Sequence, residues 1–317
     1  MKAIVLAAPG RIEMRDVPRP EPGAGQVLIR TAACGICATD LVMIDGNPRV
    51  KCPAILGHEW SGVVEAAGKG APRRLVGKPC VAENVLADGG EVGFEHPGGY
   101  GQFFVTEAAG VNTLPDGFDM AVATLIEPLA VCVRALNNLG ESNQGDALIL
   151  GDGPIGLLML VLLKHVGAPR VLLAGGRPGR LKLARQLGAC EALNYHVQGE
   201  VSRRAYEWGV VVEASGSLKG MTTALNVAGQ CAKILVLGDY GDARADFAWN
   251  DLLHRELMLT GSNASADAWP EAVRLATDPA FPLRRLVSVR LPAERFAEGI
   301  DLVRSRAGDV VKVVLEW

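Results

Sequence analysis

The stretch ALILGDGPIG, residues 147–156, decides the fold: a short apolar run, three glycines spaced GxGxxG, and a helical run that begins at Pro154. Alone, that spacing can be a plain turn between a strand and a helix. Its placement directly between the two makes it a dinucleotide site. Gly151 permits the tight turn, Gly153 lets the backbone approach a pyrophosphate, and Gly156 lets the helix pack on the strand. The helix N-terminus around Pro154 and Ile155 then faces the negative charge.

Downstream, the apolar runs VLLAG, GVVVEASG and KILVLG alternate with helices expected over residues 154–166, 180–187 and near 218–227. Strands alternating with helices of this length predict a parallel sheet covered by helices on both faces. Upstream, residues 1–115 hold short β-branched runs bounded by glycine and proline: AIVLA, QVLIRTAA, SGVVEAAG, GKPCVA and GQFFVTE. They predict a β-rich lobe. After Gly261 come a helix over 269–276, an extended 284–292, a helix over 294–304 and a closing strand with no βαβ partner of its own. The expected organisation is therefore α/β: a β-rich domain over 1–128, a doubly wound parallel-sheet domain over 129–262, and a return of 263–317 to the first.

A chain of 317 residues suits about two domains of typical size. Its 32 Lys plus Arg against 35 Asp plus Glu give a net charge of −3, which leaves no basic field for nucleic acid or an anionic membrane surface. With 49% hydrophobic and 21% charged residues, it is not a disordered chain. The first 16 residues carry charges of both signs where a signal peptide would be apolar, so a cytoplasmic protein is expected. The apolar run at 157–163 is far short of the roughly 20 residues a membrane span needs. Seven cysteines spread from Cys34 to Cys231 read as thiols or metal ligands rather than a disulfide framework.

A strand following the glycine loop usually ends in an Asp or Glu that accepts from the adenosine ribose, about 20 residues on. Here the strand ends in Gly175 and Gly176, followed by Arg177 and Arg180. With no acid to repel a 2′-phosphate and two guanidinium groups to bind it, NADP(H) is expected over NAD(H). The simpler reading makes both arginines solvated residues of a turn and a helix start.

A second constellation lies in CGICATD and GHEWSG: Cys37, His58 and Glu59, with Glu127 of EPLA as a further carboxylate. Thiolate, imidazole and carboxylate together suit Zn²⁺, and three protein ligands with one open position describe a catalytic site. Taken singly, His58 can be a satisfied polar residue, and Glu127 can cap the helix that Pro128 begins. Cys34 and Cys37 also spell CxxC, the pattern of a redox pair or half a zinc knuckle. A knuckle needs a second pair, and Cys52 and Cys80 are not spaced as one.

These segments, with GGYGQFFV, LPDG, IEPLAV, ARQLGA, EASGS and DVVKVVL, resemble the zinc-dependent medium-chain dehydrogenases, near the sorbitol, threonine and polyol dehydrogenases. The resemblance implies a GroES-like catalytic domain beside a Rossmann domain. It implies that Cys37 and His58 bind one catalytic zinc, that Glu59 and Glu127 ligate it directly or through water, that Thr39 relays the alcohol proton and that Asp40 orients its neighbours. A homodimer or homotetramer is implied too, with residues 224–238 and the last sheet strands as candidate contacts. Few cationic residues lie near the metal motifs, so a neutral alcohol, polyol, sugar or cyclitol, or the corresponding ketone, is expected as substrate rather than a strongly anionic one.

Two departures stand out. Most zinc members carry four closely spaced cysteines in a structural-zinc lobe, whereas no cysteine lies between Cys80 and Cys132, and Arg134 stands where many relatives have a histidine. The competing readings are a zinc-free quinone or enoyl reductase of the same superfamily, which would lack Cys37, His58 and Glu59, and a non-catalytic nucleotide-binding regulator. Metal analysis of the purified chain is expected to give one zinc per chain; two would reveal a second site in the lobe.

Overall fold

The computed structural model describes residues 1–140, 145–247, 249–306 and 308–317. It divides into two units, Met1–Glu127 with Trp269–Trp317 and Pro128–Ala268.

The chain begins with an antiparallel pair, β1 (Lys2–Ala8) and β2 (Arg11–Asp16). Next comes β3 (Gln26–Ile36), which runs through Cys37 straight into α1 (Ala38–Ile44). The strands β4 (Trp60–Ala67), β5 (Pro79–Ala82), β6 (Phe103–Glu107) and β7 (Val111–Thr113) follow. The short α2 (Met120–Ala123) is capped by Asp119, whose carboxylate accepts from Ala121 N–H at 3.1 Å, and α3 (Ile126–Leu139) leads out of the unit. Among the described residues, one helical stretch is long and apolar enough to cross a membrane, Met120–Leu139, at mean hydropathy 1.5. Since 72% of it is buried within the chain, its apolar surface is already covered.

The second unit is the doubly wound sheet. Strands β8 (Ala147–Leu150), β9 (Val171–Gly175) and β10 (Glu191–Asn194) alternate with α4 (Pro154–His165) and α5 (Pro178–Gln186). Beyond them lie β11 (Trp208–Glu213), α6 (Leu218–Val227), β12 (Ala228–Val236), α7 (Trp249–His254) and β13 (Met258–Gly261). The strand order is β10-β9-β8-β11-β12-β13, every pair parallel. Order reverses between β8 and β11, and the crevice at their carboxyl ends is where such sheets hold ligands. β8 and β9 are buried along their whole length, as strands covered on both faces must be. Helix α5 starts at Pro178 rather than 180, because proline's fixed φ suits the first helical position. β12 lies inside the sheet, so residues 224–238 do not form its edge; β13 does.

The chain then returns to the first unit through α8 (Trp269–Thr277), β14 (Val287–Pro292), α9 (Phe296–Arg304) and β15 (Lys312–Glu316). Residues 284–286, expected to be extended, belong to a 3-10 turn over Leu283–Leu286. The boundary falls at 268/269 rather than 262/263, because Asn138 donates to Ser262 Oγ at 3.1 Å and Arg134 to the Ala266 carbonyl at 3.0 Å, tying that segment to the second unit. In the first unit's sheet the order is β14-β15-β3-β4-β5-β7, with β6 also on β3. Its core includes Ile29, Leu56, Trp60, Phe104 and Val313.

Glycine is required at two points of the turn after β8. Gly151 has φ +127°, and a Cβ on Gly156 would collide with the Gly151 carbonyl. Gly156→Ala is expected to destabilise the chain by about 1–3 kcal/mol through this overpacking and to weaken nucleotide binding. Urea unfolding and a nucleotide titration check it; an unchanged midpoint would mean the loop can relax around a methyl group.

Candidate metal centre and nucleotide loop

Three ligand atoms, one each from Cys37, His58 and Glu59, lie within 4.8 Å of one another, the one such group of three among the described residues. Strand register puts them there. β3 pairs with β4 so that Cys34 stands opposite Trp60, and Gly35 N–H donates to the Glu59 carbonyl at 2.7 Å. The end of β3 thus runs alongside His58 and Glu59, and Cys37 follows at the start of α1.

Asp40 ties these pieces together. It is fully buried, and its carboxylate accepts from Cys37 N–H at 2.8 Å and Tyr100 O–H at 3.1 Å, and meets His58 Nδ1 at 3.2 Å. An Nδ1–H given to Asp40 leaves Nε2 as the lone-pair donor, the arrangement that orients metal-bound histidines. Burial disfavours the His58 imidazolium, but the Asp40 charge outweighs it and holds the imidazole's proton affinity well above its usual value. Phe94 stacks on the His58 ring with centroids 4.7 Å apart, and Asn84 donates to the His58 carbonyl at 2.8 Å. The donor chemistry and the fixed imidazole fit a zinc ion. Thr39 Oγ1 stands 3.6 Å from Cys37 Sγ, half-buried at the same helix start.

Glu59 has a partner that the motifs do not announce. Lys312 Nζ donates to both of its carboxylate oxygens at 2.6 Å, with the two side chains 2% and 1% exposed. Burial lowers the lysine's proton affinity, but the Glu59 carboxylate reverses this and raises it, so Lys312 stays protonated. Register explains its position: β15 pairs antiparallel to β3 with Val313 opposite Ile36, and one further step brings Lys312 beside Cys37. The available signal was a lysine inside the apolar run VVKVVL. Glu127 lies outside the group of three, yet the charges of His58, Glu59 and Lys312 act on it, and burial pushes its carboxyl up to about 7.

Cys34 is buried, and desolvation followed by the Asp40 and Glu59 charges pushes its thiol well above the usual value. A reactive thiol is an accessible sulfur of low pKa, so Cys34 cannot serve as the nucleophile of a redox pair. Trp60 is core, edge-on to Phe104 and donating to Asn84 at 3.0 Å. His96 meets Asp88 at 2.9 Å in an exposed turn. Residues 94–97 line a cavity of about 410 Å³ with Arg49 and Lys51, while Tyr100 is buried against Asp40. Arg49 is itself paired with Glu91 and Glu95.

In the second unit, a Cβ on Gly151 would stand 2.8 Å from the Ala214 carbonyl, whereas one on Gly153 would meet nothing within 4 Å, which leaves the loop open to a pyrophosphate. The end of β9 corrects the sequence reading. A carboxylate is present there after all, supplied by Asp152 of the glycine loop. Its Oδ2 accepts from the backbone N–H of Gly176 and Arg177, each at 2.9 Å, and its Oδ1 from Arg177 Nη1 at 2.9 Å. Arg180 donates to the Asp152 carbonyl at 3.3 Å. The two arginines are thus neither solvated turn residues nor a phosphate clamp without a counter-charge. An acid inside an anion-binding loop, GDGPIG, was the sign of this.

Comparison with known proteins places this geometry in a family. An alcohol dehydrogenase GroES-like domain matches residues 23–116, and a zinc-binding dehydrogenase domain matches residues 154–278. The chain belongs to the zinc-dependent medium-chain dehydrogenase/reductase family, on the sorbitol- and threonine-dehydrogenase-like branch. It is 27% identical to a D-arabitol-phosphate dehydrogenase of Enterococcus avium, over 100% of this chain and 97% of that one. To an L-threonine 3-dehydrogenase of Stenotrophomonas maltophilia it is 29% identical over the whole of both. A zinc-binding dehydrogenase from Sinorhizobium meliloti, crystallised with NADP, superposes with a TM-score of 0.93 at 25% identity, covering 100% of this chain and 99% of that one. The chain is an oxidoreductase of the dehydrogenase type.

Lys312→Met is expected to cost about 3–5 kcal/mol, because it strands a buried Glu59 charge, whereas Lys312→Met with Glu59→Leu should be close to neutral. Urea unfolding of both variants checks this; equal losses would show that the site depends on these side chains for packing rather than charge balance.

Proposed function

We propose that the protein is a zinc-dependent dehydrogenase that moves a hydride between a neutral secondary alcohol (a polyol, sugar or cyclitol) or its ketone and NADP(H). The observation that carries this reading is the Cys37–His58–Glu59 cluster with Asp40 fixing the imidazole. Cys37 and His58 would hold the zinc, with Glu59 and Glu127 as carboxylates that reach it directly or through water. Bound zinc supplies Lewis acidity toward the substrate oxygen, and the nicotinamide gives or takes the hydride.

The chain's own residues do the rest. Asp40 holds Nδ1 of His58, which leaves Nε2 as the nitrogen that would hold the zinc, and Phe94 covers one ring face. The Thr39 hydroxyl, able to donate and accept at once, passes the alcohol proton toward solvent. Lys312 is neutralised by Glu59, so it offers no net charge to an anionic substrate, which favours a neutral one. The preference for NADP(H) is supported by the two guanidinium groups of Arg177 and Arg180 at the turn after β9, set against the one carboxylate of Asp152. A homodimer or homotetramer is supported by the sheet edge β13, where Met258 and Leu259 are exposed, and by exposed Trp249 and Leu253 on α7.

Fluorescence titration should show tighter binding of NADPH than of NADH; equal affinities would remove the cofactor preference. Cys37→Ala and His58→Ala should lose both zinc and turnover on a panel of polyols and ketones. Thr39→Val should keep its zinc and lose roughly 10²–10⁴-fold in kcat, the range for a lost proton-transfer group. Full activity in Thr39→Val would exclude the relay.

A further inference from the structure

We propose that Asp152 is the carboxylate that sets nucleotide selectivity, acting from the glycine loop in place of an acid at the end of β9. The proposal rests on the reading of residues 151–156 as a dinucleotide loop and adds a residue that governs which dinucleotide it takes.

Space is the first argument. A Cβ on Gly175 would collide with Asp152 Cβ and fall 2.7 Å from its Cγ and Oδ2, so no side chain at 175, acidic or other, fits beside Asp152 as it is placed. The loop carboxylate fills the room that a strand-end acid would use. Hydrogen bonding is the second. The donors at this turn that suit a 2′-phosphate are the N–H groups of Gly176 and Arg177 and the Arg177 guanidinium, and Asp152 already engages all three. Charge is the third. Asp152 is 4% exposed and lies between two guanidinium groups, 2.9 Å from Arg177 and 3.9 Å from Arg180. The turn therefore carries a net charge of one positive unit rather than two.

A ribose 2′-hydroxyl can donate to this carboxylate, because an ionised carboxylate accepts several hydrogen bonds. A 2′-phosphate must instead share Arg177 with a like charge. Asp152 therefore supports NAD(H) and holds down the advantage that Arg177 and Arg180 give NADP(H). It also orients Arg177, keeping one edge of the guanidinium on the protein while the side chain stays about a quarter exposed.

The test is nucleotide titration of the intact protein and its variants with NADPH and NADH, repeated with adenosine 2′,5′-bisphosphate and 5′-AMP as fragments that isolate the ribose position. In Asp152→Asn, NADPH is expected to bind about tenfold tighter and NADH no tighter than before, the size of effect that removing a nearby like charge brings. Moving the carboxylate, with Asp152→Gly to clear the Cβ that a side chain at 175 would strike and Gly175→Asp together, should return the ratio toward NADH. Arg177→Gln, which keeps the loop, should weaken NADPH more than NADH and provides an independent readout if Asp152→Asn is poorly folded. Equal changes for both nucleotides in Asp152→Asn would reduce Asp152 to a scaffold residue and overturn the proposal. Failure of the unaltered protein to bind either nucleotide would instead overturn the reading of the loop itself.

Discussion

The ladder around β3 is the constraint on which the catalytic unit depends. β3 pairs with β4, β6 and β15, and a one-residue slip in any of these registers would turn every side chain to the opposite face of the sheet. Held as it is, the end of β3 runs alongside His58 and Glu59 on one side and Lys312 on the other, and Cys37 follows where the strand becomes a helix. Residues from positions 37, 58–59 and 312 thus share one small volume because three hydrogen-bonded ladders agree.

What the ladder assembles is a set of charges with almost no access to water. Asp40, His58, Glu59 and Lys312 are all buried, and each is tolerable only because the others are there. Asp40 takes three donors and Lys312 covers both oxygens of Glu59, so the carboxylates are hydrogen-bonded rather than stranded. Such a network is rigid. Rigidity is what a metal site needs, since ligand direction and tautomer are then set before the ion arrives.

The nucleotide loop follows the same logic with the opposite sign. Its backbone and helix N-terminus are built to receive an anion. Asp152 places a fixed negative charge at the far end of that region, where it organises the turn after β9 and balances Arg177. On the proposal made above, selectivity there depends on the difference between these charges rather than on one residue at the strand end.

The sequence by itself determined much of this protein. Alternating apolar runs and helices defined the parallel sheet, and the CGICATD and GHE segments named Cys37, His58 and Glu59, which the fold brings together, while Glu127 of EPLA lies outside that group. Local signals suffice for these, because a turn, a helix start or a ligand motif is written within a few residues. Only the tertiary structure decided the rest: that Lys312 neutralises Glu59, that Tyr100 holds Asp40 and Asn84 the His58 carbonyl, and that Asp152 stands where Gly175 has no side chain. The Lys312–Glu59 pair spans 253 positions, and the Asp152–Arg177 pair joins the ends of neighbouring strands. Which partner a buried charge finds is set by strand pairing and burial, and neither is visible in the residues that surround it in the chain.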